Sequence, residues 1–330
     1  MCIQKGLVTG EVIVTDSTHI KAHSSSEKSF VPVVQKKTTE YLNTLEEEAI
    51  KLEKELNEKR DSLNKKKAGK KPKERDETGS LWQIKNDPDS GLLGRPEKPK
   101  GAHYLAHTSV DTKHGIIVDI HPSAGNVNDC EPYIDRLKTI QEKFNLDIKY
   151  AGADRGYDTT PIHHGLKTLK ITGYITPVQK GTAFNSTTYR EFTYDPKNDQ
   201  YICQANKILA FTHLNYMQKG KQYYKTYSAR AKDCKVCPLR KPMLWKNGKP
   251  KNNYEAVAHE LLEENLQRSK TITYKEVQKL RRVWSEGTFG TLKAKHNLIK
   301  TFKRGIEKVT EQCLFSALAL NLKRMIKATN

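Results

Sequence analysis

Three acidic residues stand where carboxylates can do chemistry. Asp16 closes the β-branched run EVIVTD, Asp154 closes DIKYAGAD, and Glu286 lies inside the basic stretch RRVWSEGTFGTLK. Carboxylates at the ends of neighbouring strands share one crevice, and open α/β sheets bind ligands at strand ends. Carboxylate oxygens are the donors that hard cations such as Mg²⁺ take. Two such ions about 3.5–4 Å apart can hold a phosphodiester, one activating the attacking oxygen and the other steadying the leaving one. A helical Glu286, arriving from far along the chain, completes such a cage. On a helix wheel Arg282, Glu286 and Lys293 fall within roughly a 60° sector, so two cations flank the carboxylate and can meet phosphate oxygens. An ordinary surface ion pair between Arg282 and Glu286 explains the same spacing.

The elements that must position these residues follow from periodicity. Residues 11–20 read as a strand. From position 41 onwards Leu42, Leu45, Ala49, Leu52, Leu56 and Leu63 mark an a/d seam, so 41–63 reads as a helix with coiled-coil-like packing. Residues 64–80 are charged and punctuated by Gly and Pro, a flexible linker. AHYLAHTSV (102–110) and IIVDIH (116–121), joined by DTKHG, make a β-hairpin. An amphipathic helix over 131–146, a strand over 147–154, a turn and helix over 156–170 and a strand over 171–177 follow. That order indicates an α/β fold with a mixed sheet. Residues 181–250, rich in Tyr, Lys and Asn, read as a small β-rich insertion, and the chain turns helical again from about Tyr254. The expected division is therefore 1–29 as the first strand of a catalytic core and 30–100 as a charged helical and linker insertion. Residues 101–180 continue the core, 181–252 form the β-rich insertion, and 253–330 supply the C-terminal helices of the core.

Charge narrows the partners. The 330 residues hold 58 Lys and Arg against 38 Asp and Glu, a net of +20. The last 150 residues carry 29 of those cations against 12 acids, so the excess is segregated, as a surface for phosphates requires. A Lys-rich solvated surface is the plainer alternative. No apolar run approaches the ~18 residues of a membrane helix. The start MCIQKGLVTG has no apolar signal core, and six Cys are too few for a disulfide framework. A membrane, collagenous or disulfide-knotted secreted protein is excluded, and a reducing cytoplasm is expected.

VTDSTHIKAH (14–23), ADRGYD (153–158) and RRVWSEGTFGTLK (281–293), in that order, resemble the DDE transposases of bacterial insertion sequences. Within them the chain is most similar to the branch with an arginine, a glutamate after three intervening residues and a lysine after six more, here Arg282, Glu286 and Lys293. The continuation HNL…FKRGIEKVTEQCLFSALALNLKRM (296–325) is similar to the tail of the group numbered eleven-eighty-two. The resemblance covers nearly the whole chain outside 30–100. It implies a ribonuclease H-like core, with Asp16, Asp154 and Glu286 as catalytic residues and ligands of Mg²⁺ or Mn²⁺. It also implies Arg282, Lys293, Lys279 and Arg304 as DNA contacts. The implied reaction is metal-assisted cleavage at an element's ends, then attack of the freed 3′ hydroxyl on target DNA. The implied partners are double-stranded DNA and further copies of the chain on paired ends, in a bacterial cytoplasm. The family pattern has a Tyr three residues before the Arg, where this chain has Lys279. Such proteins usually carry a helical DNA-binding region before the first Asp. Only 15 residues precede Asp16 here, so a chain lacking that region is expected. A DNA-binding remnant without activity and a nuclease without strand transfer are the competing readings.

Fainter patterns remain. Cys234 and Cys237 form CxxC, with Cys203 upstream and His213 as a conceivable fourth ligand of a Zn²⁺ site; a packed, reduced pair is the alternative. Cys2, Cys130 and Cys313 read as incidental thiols. His19 and His107 are expected in strands beside Asp16, either structural or supporting the cage. Asp119 and Asp129 are spare carboxylates, and the turn GNVND makes Asp129 a helix N-cap. Tyr223, Tyr224 and Tyr227, interleaved with Lys221 and Lys225, suit either base stacking or a small core.

Overall fold

Six of the ten residues of β1 (Val12–Lys21) are Val, Ile or Thr, types whose branched side chains suit a pleated, half-buried surface. The computed structural model describes residues 1–24, 28–34, 47, 50, 51, 54, 55, 58, 78–93, 100–178, 192–195, 197–217, 222–237, 252–256 and 260–329. Strands β2 (Lys28–Val34), β3 (Thr78–Ile84), β4 (Gly91–Leu93), β5 (Gly101–Asp111), β6 (Ile117–Ala124), β7 (Tyr150–Ala153) and β8 (Thr172–Ile175) follow. Strands β9 (Phe192–Asp195), β10 (Gln200–Cys203), β11 (Ile208–Met217), β12 (Gln222–Ala229) and β13 (Asn252–Ala256) come later. The helices are α1 (Tyr133–Phe144), α2 (Thr160–Thr168), α3 (Ala231–Lys235), α4 (Glu260–Arg268), α5 (Ile272–Arg281), α6 (Gly287–Lys295) and α7 (Ile306–Thr329). A π turn over Arg282–Glu286 joins α5 to α6.

The chain divides into two units. Met1–Thr39, Asp76–Pro177 and Leu262–Asn330 form one, Glu40–Arg75 and Val178–Leu261 the other. The first holds a mixed sheet. β5 runs antiparallel between β1 on one side and β4 and β6 on the other, while β7 lies parallel to β1 and β8 parallel to β7. Val14 and Ile20 of β1, with Tyr104, Ala106 and Val110 of β5, form one core cluster with Phe289 and Leu292 of α6 and Val309, Cys313, Ala317 and Leu320 of α7. The two-residue period of a strand puts Asp16 on that same face. A Cβ on Gly152 would lie 2.8 Å from Val277 and 3.1 Å from Val14. The bare glycine is what lets α5 settle on β1 and β7, with Arg281 at its far end.

α7 is tied to the sheet at its first turn. Asp87, buried ahead of β4, accepts hydrogen bonds from the Tyr104 hydroxyl at 2.6 Å and the Gly305 N–H at 3.1 Å; Asp89 accepts from the Ile306 N–H at 2.9 Å. These satisfy N–H groups that a helix start leaves open. Asp87→Ala is expected to cost about 2 kcal/mol in urea denaturation, because it strands a buried hydroxyl and an N–H together. The exposed Asp89→Ala should cost less than half as much.

The second unit carries a five-stranded antiparallel meander ordered β13-β12-β11-β10-β9. Its core is Tyr201, Leu209, Tyr227 and Ala229, with Phe192, Phe211, Cys203 and Cys234 packed around it. Several sequence expectations change with the structure. Tyr254 does not start a helix but pairs with Thr226 in β13, and helix resumes at Glu260. The main sheet also takes the chain back before residue 101, through β4. The leucines of the Leu42–Leu63 seam and residues 64–77 of the expected 64–80 linker lie outside the described residues, whereas 78–80 are not linker but the start of β3; within the seam Glu47, Ile50, Lys51, Lys54, Glu55 and Glu58 are helical. Among the described residues no helix is long and apolar enough to cross a membrane.

Candidate functional site

The parallel pair β1–β7 sets the geometry. Val12 is level with Tyr150, Ile13 with Ala151 and Val14 with Gly152, and continuing that register sets Asp16 level with Asp154, on strands about 4.8 Å apart. β7 stops at Ala153, and Asp154 caps the short 3₁₀ turn Arg155–Tyr157 by accepting the Gly156 N–H at 2.8 Å. Asp16, in contrast, stays within β1 and accepts the Ser17 N–H at 2.8 Å. Burial, above all, holds the Asp16 carboxyl up at about 6, against an ordinary 3.8. The charges of Asp154 and Asp129 push it the same way, and the Ser17 N–H and Arg281 oppose them.

Glu286 reaches the same place through the π turn. In a regular helix Arg282 lies four residues before Glu286 and beside it, as the wheel expects. The π turn bonds i to i+5, so the neighbour of Glu286 becomes Arg281. Its guanidinium lies 3.6 Å from the Glu286 carboxylate and 3.5 Å from that of Asp16. Arg282 is exposed on the turn, as is Glu286. Lys279 is exposed on α5 and Lys293 half-buried on α6; Arg304 lies ahead of α7, its Nε donating to the His23 carbonyl at 2.9 Å. The turn itself is anchored by Trp284. Its ring rests on Gly115 in the β5–β6 hairpin, under the guanidinium of Arg324 from α7, 5.5 Å from the ring centre.

Sequence reasoning misjudged two groups here. Arg281 is one. The other is Asp129, which does not cap α1: the cap position is Pro132, with no side-chain bond. Its Oδ1 is buried without a hydrogen-bond partner. Its charge acts on Asp16, and with Asp16 and Asp154 it helps drive the pKa of the buried Tyr157 hydroxyl far up, behind burial itself as the main cause. The Glu131-Pro132 pair was the signal, since proline belongs at a helix start.

Other candidates fall elsewhere. His19 has the opposite parity to Asp16 in β1, and His107 pairs with Ser17, so both rings lie on the other face of the sheet. This corrects their expected support of the acids. His107 bonds Ser123 at 2.9 Å, and burial, with the charges of His121, Arg136 and His19, pulls its pKa down to about 3. Asp119 is taken by the Arg136 guanidinium. Cys203 and Cys234 pack on the small-sheet core, and the six cysteines are free thiols. His213 is exposed on β11. Tyr227 is fully buried, its hydroxyl on Asp199 at 2.7 Å, so it is core and not a stacking platform. Lys221 and the Tyr223 side chain lie outside the described residues.

The donors gathered by Asp16, Asp154, Asp129 and Glu286 are all carboxylate oxygens, Asp129 holds an orphaned buried oxygen, and a guanidinium stands between two of the acids. That chemistry fits a divalent cation. The acids are not drawn into a finished cage: among the described residues no three His, Cys, Asp or Glu side chains are grouped so as to hold a metal ion. Residues 202–326 match a family described as "Transposase DDE domain". The match includes α5, the π turn, α6 and most of α7, and lies beyond Asp16 and Asp154. Neither a curated protein nor a solved structure matches the chain. The match supports a DDE-type transposase, a class that generally uses divalent metals and acts on DNA.

Proposed function

We propose that this chain is an insertion-sequence transposase of the arginine-glutamate-lysine branch, similar to the eleven-eighty-two group, with a ribonuclease H-like core. It cleaves element ends and joins the freed 3′ hydroxyl to target DNA. The observation that carries the reading is that Asp16 and Asp154 each lie two residues beyond the last pair of the parallel strands β1 and β7, with Glu286 tied to Asp16 through Arg281. The sheet order β6-β5-β1-β7-β8 supports the core assignment.

In this reading Asp16, Asp154 and Glu286 hold Mg²⁺ or Mn²⁺, and Asp129 adds negative charge behind them. When bound, the cations activate the attacking oxygen and stabilise the leaving one. Asp16 must lose its proton to take a cation, so protons compete with metal binding increasingly as pH falls below about 6. Arg282, Lys279, Lys293 and Arg304 position the DNA by its phosphates, and copies of the chain assemble on paired ends.

The test is Mg²⁺-dependent nicking of labelled element-end DNA. Wild type is expected to nick and to yield joined products, and Asp154→Asn to do neither. Nicks without joining would indicate a nuclease, and DNA binding without either product would sink the proposal. Binding should weaken steeply between about 50 and 200 mM salt.

A further inference from the structure

Arg281 occupies a built position. Its side chain is only 13% exposed, and its Nε donates to Gln278 Oε1 at 3.0 Å. Gln278 is itself buried and clamped to the sheet: its Nε2 donates to the Ala153 carbonyl at 3.1 Å and the Tyr174 carbonyl at 2.6 Å. The Gln278 clamp therefore runs from the ends of β7 and β8 to the guanidinium, and the guanidinium meets Asp16 and Glu286. A long, flexible side chain is not fixed this way by chance burial. Asp16 meets Nη1 at 3.5 Å and Glu286 meets Nη2 at 3.6 Å, distances too long for tight charge-assisted bonds, which run at about 2.7–2.9 Å. It neutralises them without locking them.

The oxygens that Arg281 touches are the ones a divalent cation needs. A guanidinium and a divalent ion on the same carboxylates repel each other, the more so in a partly buried site. We infer that Arg281 is a place-holding counter-ion: it balances Asp16 and Glu286 in the metal-free protein and yields them when metal binds, so it sets metal affinity. This rests on the metal-site reading above. Arg281 is a positioning residue, acting through the two acids. The neighbouring Arg282, exposed on the π turn, has no part in it.

Direct Mn²⁺ titration by calorimetry at pH 7.5, with thermal midpoints measured with and without Mn²⁺, tests the inference. Arg281→Met keeps an unbranched apolar stem and removes the guanidinium with its charge. It is expected to bind Mn²⁺ on the order of tenfold tighter than wild type, with a lower metal-free midpoint and a larger rise on adding metal. Arg281→Lys should stay within about threefold of wild type. Gln278→Met, which frees the guanidinium from its clamp without touching an acid, should shift affinity in the same direction by a smaller factor. Unchanged or weaker Mn²⁺ binding in Arg281→Met overturns the counter-ion role. If Asp154→Asn binds Mn²⁺ as well as wild type, or wild type binds none, the metal-site reading itself fails. That result is distinct from a failure of Arg281 alone.

Discussion

Asp16→Asn is expected to yield a protein that is more stable at neutral pH and nearly inactive. Asparagine keeps the size of the side chain and an oxygen for the Ser17 N–H, but removes the charge that burial and the Asp154 carboxylate oppose. The folded state holds the Asp16 proton up to about pH 6, and the unfolded chain releases it near 3.8. Between those values the folded state binds more protons, so the contribution of Asp16 falls as pH rises and is at its most unfavourable above about 6. Two pKa units correspond to about 3 kcal/mol. Loss of the long Arg281 contact takes back part of that. Urea denaturation at pH 7.5 should show Asp16→Asn more stable by about 1–2 kcal/mol, with the gap closing by pH 4. DNA nicking should fall by roughly 10³-fold, the scale on which a site loses an electrostatic stabiliser. A variant that is less stable at pH 7.5 than wild type would show that Asp16 is a structural carboxylate and not a strained functional one.

Gly115→Ala is expected to be among the most damaging conservative changes in the molecule. Gly115 turns the β5–β6 hairpin at φ +71°, a conformation that costs an L-residue roughly 1 kcal/mol. An added methyl would also run into the Trp284 ring. The carbonyl of Gly115 receives Arg324, which lies over the same ring and donates to Thr288 at 2.8 Å. Trp284 cannot move alone: Ser285 beside it is fully buried, and Glu286 follows. Strain plus overpacking should cost about 3–4 kcal/mol, and the displaced turn should weaken Mn²⁺ binding as well. In a Trp284→Ala background the same Gly115→Ala change should cost only about 1 kcal/mol. Equal costs in both backgrounds would mean the steric contact carries none of the effect.

The parts of the site written in single strands could be read from residues alone. Asp16 and Asp154 end β-branched or small-residue runs, and the hairpin between them is announced by alternation and a glycine turn. The same two-residue period already separates His19 from Asp16 within VIVTDSTHIK, a conclusion the sequence permitted once strand parity was applied. Arg281 was a different matter. A wheel at a constant 100° per residue selects Arg282, and nothing in RRVWSEG marks the place where the helix widens. That choice is made by Trp284 seeking the bare patch at Gly115, a contact between residues far apart in the chain. Asp129 was hidden by a local rule: it looks like a cap, but Pro132 starts the helix three residues later. Tyr254 was misassigned because its strand is completed only by pairing with β12, and long-range pairing leaves little trace in five residues.

The widened turn has a corollary for comparing relatives. A π turn holds one residue more than the α-helical turn it replaces, so removing Val283 alone should close it into continuous helix. Residues downstream would keep their faces, because the widened turn already absorbs the extra residue, and the i,i+5 pair Arg281–Glu286 would become an ordinary i,i+4 pair. Homologous chains lacking that extra residue will present the same arginine to the glutamate, four places back rather than five. Spacing counted from the glutamate backwards is therefore an unreliable ruler in such lineages, since one and the same guarding arginine can stand four or five places away.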